Sequence, residues 1–224
     1  MLNETKVHAM HINSTLKDVI IKVISPIKGV KPAFNEYHVL KALLVLYEKG
    51  PLGRQLLSRY LGLSTTSVRT LVNRLKKLNI IETDPVAGCI LTVYGQSLVE
   101  RIQKLVVFGK DASDILEKNL LLYNKAYSFL LRKGLELLKQ FSVSYLRDTI
   151  IKYKAKAVII AYVQDDKVYI PPYRDLNEDL FPSLKKIKNL LAAQNLDIIV
   201  IIFAEDEKTA EEAFLLTLLE LNVL

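Results

Sequence analysis

The chain has 224 residues, half of them hydrophobic, so it can bury a sizeable core and is not globally disordered. Its formal net charge of +7 is uneven: residues 1–106 hold 15 Lys and Arg against 7 Asp and Glu, whereas residues 107–224 hold 16 against 17. A single cysteine, Cys89, excludes an intrachain disulfide and a multi-thiolate metal site within one chain, and no apolar run is long enough to span a bilayer.

The basic excess therefore lies in the N-terminal half, which suggests a polyanion-binding half joined to a neutral half with another task. The first residues, Met1 to His8, lack a secretory signal pattern, so a soluble cytoplasmic protein is expected. Low Cys and Met, no Trp and abundant Lys, Glu and Ile hint at a thermophilic source.

Residues 1–34 read as an arm. Ser14 or Thr15 can cap a short helix over Leu16–Ile24 that ends before Pro26. It could serve as a dimerisation helix, a DNA-touching arm or a mobile tail; the apolar Val19, Ile20, Val23 and Ile24 favour packing. His8 and His11, three residues apart, read as surface residues rather than a metal site. His38 likewise has no ligand set around it.

From residue 35 the pattern becomes regular. Asn35 caps a helix that runs to Lys49 and stops at Gly50-Pro51. Gly53 to Leu61 is a second, short helix closed by Gly62. Ser64 then caps a third, to Leu78, in which Val68, Leu71, Val72, Leu75 and Leu78 form one apolar stripe. Its other face carries Thr66, Thr70, Asn73 and Lys77, flanked by Arg69 and Arg74, with no carboxylate. Two helices joined by a short turn containing Gly make a helix-turn-helix signature. Asn79–Asp84 and Cys89–Val93 then read as a hairpin around Pro85–Gly88, and Thr92 caps a helix from Tyr94 to Lys104.

On these features residues 35–104 resemble winged-helix DNA-binding domains: helix, helix, Leu-Gly-Leu-Ser, a long third helix, a hairpin with Gly88, and Leu91-Thr-Val-Tyr-Gly95 entering the last helix. The whole chain is similar to archaeal proteins that pair a winged helix with a C-terminal α/β domain of uncharacterised function. The segments that carry this second likeness are Pro32–Leu43, Gly53-Arg54 and Tyr145-Leu-Arg-Asp148.

Residues 107–224 alternate strands and helices. Leu105–Phe108 is a first strand or the end of the preceding helix, and Ala126–Leu131 a further strand. Ser142–Tyr153 is a helix capped by Ser142 or Ser144. Ala157–Val163 and Val168–Ile170 form a hairpin around Gln164–Lys167. Pro182 opens a helix to Gln194. Ile198–Ala204 is a continuous apolar strand, as for one covered on both faces. The final helix, about 206–221, is apolar enough to require burial on the sheet or on a second chain.

Catalytic chemistry is sparse. The second half contains no His and no Cys, and the chain has no Gly-rich phosphate loop. Arg147, Asp148 and Arg174 form the one polar group to watch, as an inter-element salt bridge or the floor of an effector pocket.

The expectation is thus an α+β protein: arm 1–34, winged helix-turn-helix domain 35–106, and a small α/β sandwich-like domain 107–224 for dimerisation or ligand sensing. It would act as a sequence-specific transcriptional regulator, not an enzyme, with no cofactor and no metal. Ser64, Thr66, Arg69, Thr70, Asn73, Arg74 and Lys77 are the expected DNA-binding residues. Expected partners are double-stranded DNA at the nucleoid, a second copy of the chain and a small-molecule effector, with no membrane. Two rivals stand beside this reading: a winged helix that binds protein within a nucleic-acid-processing assembly, and an enzymatic C-terminal domain with a DNA-binding appendage.

Overall fold

The computed structural model describes residues 15–224; Ser14, His8 and His11 lie outside the described residues. The fold class is α+β, in two compact units, one ending at Arg101 and the other spanning Ile102–Val223.

In the first unit the helices expected to open at Ser14 or Thr15, at Asn35 and at Ser64 start at Thr15, Asn35 and Ser64. Helix α1 (Leu16–Ile24) opens on a capping box between Thr15 and Asp18. Helix α2 (Glu36–Lys49) opens on Asn35, whose side chain accepts from the His38 amide while His38 Nδ1 accepts from the Asn35 amide. His38 is therefore a capping residue. Helix α3 (Arg54–Leu61) ends at Gly62, which takes the left-handed conformation (φ 65°) that closes a helix. Ser64 then caps helix α4 (Thr65–Lys77) by accepting from the Ser67 amide.

Strands β1 (Ile81–Asp84) and β2 (Gly88–Leu91) pair antiparallel, Ile81 opposite Leu91. Leu52 adds a bridge to the outside of β2, its amide and carbonyl exchanging bonds of 2.9 and 2.8 Å with Cys89. That exchange brings the chain so close that a Cβ on Gly88 (φ 102°) would sit 2.6 Å from the Leu52 carbonyl. Helix α5 (Val93–Leu105) follows, with the Thr92 hydroxyl accepting from the Gly95 amide and donating to the Asn79 carbonyl. The core draws on Leu40, Leu43, Leu57, Leu61, Leu71, Leu75 and Ile80, all fully buried.

The second unit is a five-stranded sheet in the order β3 (Val106–Asp111), β4 (Ala126–Leu131), β7 (Ile198–Phe203), β5 (Ala157–Gln164), β6 (Lys167–Tyr169). Every pairing is antiparallel. Leu105 ends α5 and Val106 begins β3, so the stretch read two ways belongs to both. β7 is buried along its whole length because it is the central strand with helices on each face. One face packs Leu184 and Ile187 of helix α8 (Pro182–Leu190) and its C-cap Leu191, with Leu116 and Leu120 from the β3–β4 connection. Helices α7 (Val143–Lys152) and α9 (Glu207–Glu220) cover the other, where Phe129 and Phe214 stack at 4.7 Å. The apolar final helix is thus buried on its own sheet.

Two details depart from the sequence reading, and a third gives the expected β5–β6 turn its geometry. Helix α8 ends at Leu190, not Gln194, because Ala192 (φ 49°) and Leu196 (φ 74°) turn the chain back towards β7. A further helix, α6 (Leu135–Gln140), links β4 to α7. The β5–β6 turn is built on two left-handed residues, Asp165 (φ 51°) and Asp166 (φ 60°), the geometry of a two-residue hairpin.

Two polar ties hold this unit. Buried Asp197 accepts from Arg132 at 2.8 Å and from the Lys133 and Gln194 amides at 2.9 Å, fixing the ends of β4 and β7. Glu117 caps α8 from 66 residues away: it accepts from the Ser183 amide at 2.8 Å and from the Ser183 hydroxyl. Burial pushes the Glu117 carboxyl up, but those bonds outweigh it and hold it below its ordinary value.

Candidate nucleic-acid interface

Helix α4 buries Val68, Leu71, Val72 and Leu75 and turns its other face outward. Ser64, Thr66, Arg69, Thr70, Asn73, Lys76 and Lys77 are exposed on it. Among the described residues no hydrogen bond or ion pair engages the side chains of Arg69, Asn73 or Lys77, so they stand ready for a ligand outside the chain. Thr70 donates back to the Thr66 carbonyl at 3.2 Å, a bond a solvent-facing hydroxyl can exchange. Lys76 donates to Thr83 at 2.9 Å and ties the helix to β1.

The side chain of Arg74, one of the expected DNA-binding residues, is engaged within the chain. Its guanidinium donates to the carbonyls of Val23 at 2.6 Å and Ser25 at 2.7 Å, and lies 5.6 Å from the Phe34 ring centroid. These carbonyls end α1, so Arg74 fastens the N-terminal helix to α4. No sequence periodicity marks a partner 51 residues away.

The segment after α1 borders the same face. Ile27 and Val30 exchange backbone bonds around Lys28 (φ 51°) and Gly29 (φ 80°), a tight turn with exposed Lys28 at its tip and exposed Lys31 behind it. An open groove of about 340 Å³ separates this segment from α4, with Lys31 and Phe34 on one side and Thr66, Ser67 and Thr70 on the other. The basic turn and the outward face of α4 therefore form one surface, a placement the sequence reading lacked.

The β1–β2 tip is chemically unlike it. Asp84 accepts from the Ala87 amide at 2.7 Å and the Val86 amide at 2.8 Å, which hold its carboxyl below the ordinary range. The tip carries an anion and a 97% exposed Val86, and no cation.

In the second unit Arg147, on α7, lines a cavity at the edge of β5, whereas Asp148 and Arg174 do not line it. Among the described residues no cluster of His, Cys, Asp and Glu could hold a metal ion, and no helix is long and apolar enough to cross a membrane.

Residues 122–221 match the family model of a domain of unknown function (DUF4443). Among solved structures, the hypothetical protein PH0730 from Pyrococcus horikoshii OT3 is similar at 25% identity and a TM-score of 0.59, covering 80% of this chain and 89% of that one. No curated protein matches.

Proposed function

We propose that the first unit is a winged helix-turn-helix module that binds double-stranded DNA, with α4 in the major groove, and that the protein is a sequence-specific transcriptional regulator acting as a homodimer. The observation that carries this reading is the outward face of α4: hydroxyls, an amide and cations, all exposed, with no carboxylate. Asn73 can pair with an adenine edge and Arg69 with guanine, while Lys77 suits a phosphate. The capped N-terminus at Ser64 is polarised to favour a phosphate as well. Lys28 and Lys31 extend the cationic surface beside the helix. The Asp84 tip, anionic and without a cation, adds no phosphate contact to this reading.

The likeness to the archaeal structure takes in more of the chain than either unit alone, which supports reading the two units as one working protein. A two-fold dimer would present two α4 helices to half-sites about one helical turn apart, roughly 34–36 Å. The test is fluorescence anisotropy of the full chain on random-sequence duplex, followed by selection of a preferred site. Salt-sensitive binding and a recovered half-site pair are expected. Absence of duplex binding at low salt by the folded protein would overturn the reading and turn attention to the apolar, exposed Val86 tip as a protein contact.

A further inference from the structure

We propose that the second unit holds a binding site for a small monocarboxylate with an apolar body, its carboxylate on Arg147 and its body against the open edge of β5. Strand β6 pairs with β5 only over Tyr162–Gln164. Beyond that the outer edge of β5 has no strand partner among the described residues, and a cavity of about 250 Å³ lies against Val158 and Ile160.

Its walls are apolar, with Leu120, Ile170 and Phe181 among them. Val143 and Arg147 also line it, four residues apart and so on one side of α7. Arg147 is the one charged side chain lining the cavity. Among the described residues no hydrogen bond or ion pair engages it, while Arg132 and Lys188 in the same unit are paired with Asp197 and Glu178. No carboxylate lines the cavity, so a cation has nothing to meet there.

Backbone geometry adds a second polar element. The Val163 amide bonds to the Asp197 carbonyl at 3.0 Å, which sets the alternation of the ladder. Odd-numbered residues of β5 then address β7, and the backbone groups of Val158 and Ile160 turn to the open edge. A carboxylate can take the planar fork of Arg147 and an edge amide together. One cation suits a monoanion better than a phosphate monoester. The volume lies just below the usual small-molecule range of roughly 300–1,000 Å³, which fits a medium-chain or single-ring acid.

The test is calorimetric titration of the full-length protein with octanoate and phenylacetate, each against its alcohol counterpart, for wild type, Arg147→Met and Val143→Trp. Saturable one-to-one binding of at least one acid is expected, about tenfold tighter than its alcohol. Arg147→Met should erase that preference while alcohol binding persists. Val143→Trp, with an unchanged circular dichroism spectrum, should abolish binding of acid and alcohol alike. Failure of both acids to bind saturably, equal affinity for acid and alcohol, retention of the preference by Arg147→Met, or undiminished binding by folded Val143→Trp would each overturn the proposal.

Discussion

Arg74 Nη1 lies 2.6 Å from the Val23 carbonyl oxygen, so the helix that faces outward with its polar residues is bolted from within to the end of α1. The same nitrogen reaches the Ser25 carbonyl at 2.7 Å. Removing the guanidinium leaves the α1 C-terminal carbonyls without that donor. Arg74→Ala should therefore lower stability by about 1.5–3 kcal/mol, the range for hydrogen bonds to a charged group. Urea denaturation of wild type and variant measures it. An unchanged midpoint, with a salt slope of DNA binding reduced by one, would place Arg74 on a DNA phosphate instead.

Cations on the outer surface should behave in the opposite way. Lys77→Ala, Lys28→Ala and Lys31→Ala leave folding intact and each reduce the slope of log affinity against log salt by about one unit. Asn73→Ala should instead relax preference at one base pair by about 1–3 kcal/mol with little change on random duplex. Equal losses on selected and random DNA would remove Asn73 from base recognition.

Gly88 tests the close approach of β2 to Leu52. An added Cβ meets the Leu52 carbonyl at 2.6 Å and sits on a backbone with φ 102°. Gly88→Ala should cost about 1–3 kcal/mol, the scale of a strained backbone residue, plus the shift that relieves the clash. Neighbouring Cys89 reports on it. Its thiol is 1% exposed, and burial pushes its pKa up. Native wild type should resist a maleimide and become labelled on unfolding, whereas Gly88→Ala should label faster under native conditions. Equal labelling rates would mean that the strand accommodates the methyl group.

Glu117 carries a pH dependence with a definite sign. Its folded-state pKa is lowered by the Ser183 hydroxyl and amide despite partial burial. The stability it contributes is therefore present above the unfolded value of 4.5 and is lost as pH falls through the folded value. Glu117→Gln should narrow its stability gap to wild type progressively below about pH 4.5. Denaturation midpoints across that acid range check this; a constant gap would mean the carboxylate charge is not what holds α8.

Local signals made much of the fold legible. Thr15, Asn35, Ser64 and Ser142 each cap the helix their position suggested, because a cap acts within three residues. Ala126–Leu131 and the hairpin at Asp165-Asp166 follow from apolar runs and turn chemistry. The β3-β4-β7-β5-β6 order did not follow, since pairing between distant strands leaves no periodic trace. Neither did Glu117 on Ser183 or Arg74 on Val23, which join residues 66 and 51 apart. On the proposed interface, the outward residues of α4 were legible from helical spacing. The basic turn beside them was not, because Lys28 reaches that surface through a fold-back at Gly29 and the Arg74 anchor.

The salt dependence of duplex binding by the full chain tests α4 as a DNA-binding helix most directly. Submicromolar to micromolar affinity for a random duplex at low salt is expected, falling steeply between 50 and 200 mM salt as several phosphate contacts are screened, roughly tenfold or more. The Lys28→Ala/Lys77→Ala double variant should lose most of that affinity and flatten the slope by about two units. Failure of the folded wild-type protein to bind duplex at low salt, or binding unaffected by salt and by the double variant, would contradict the account.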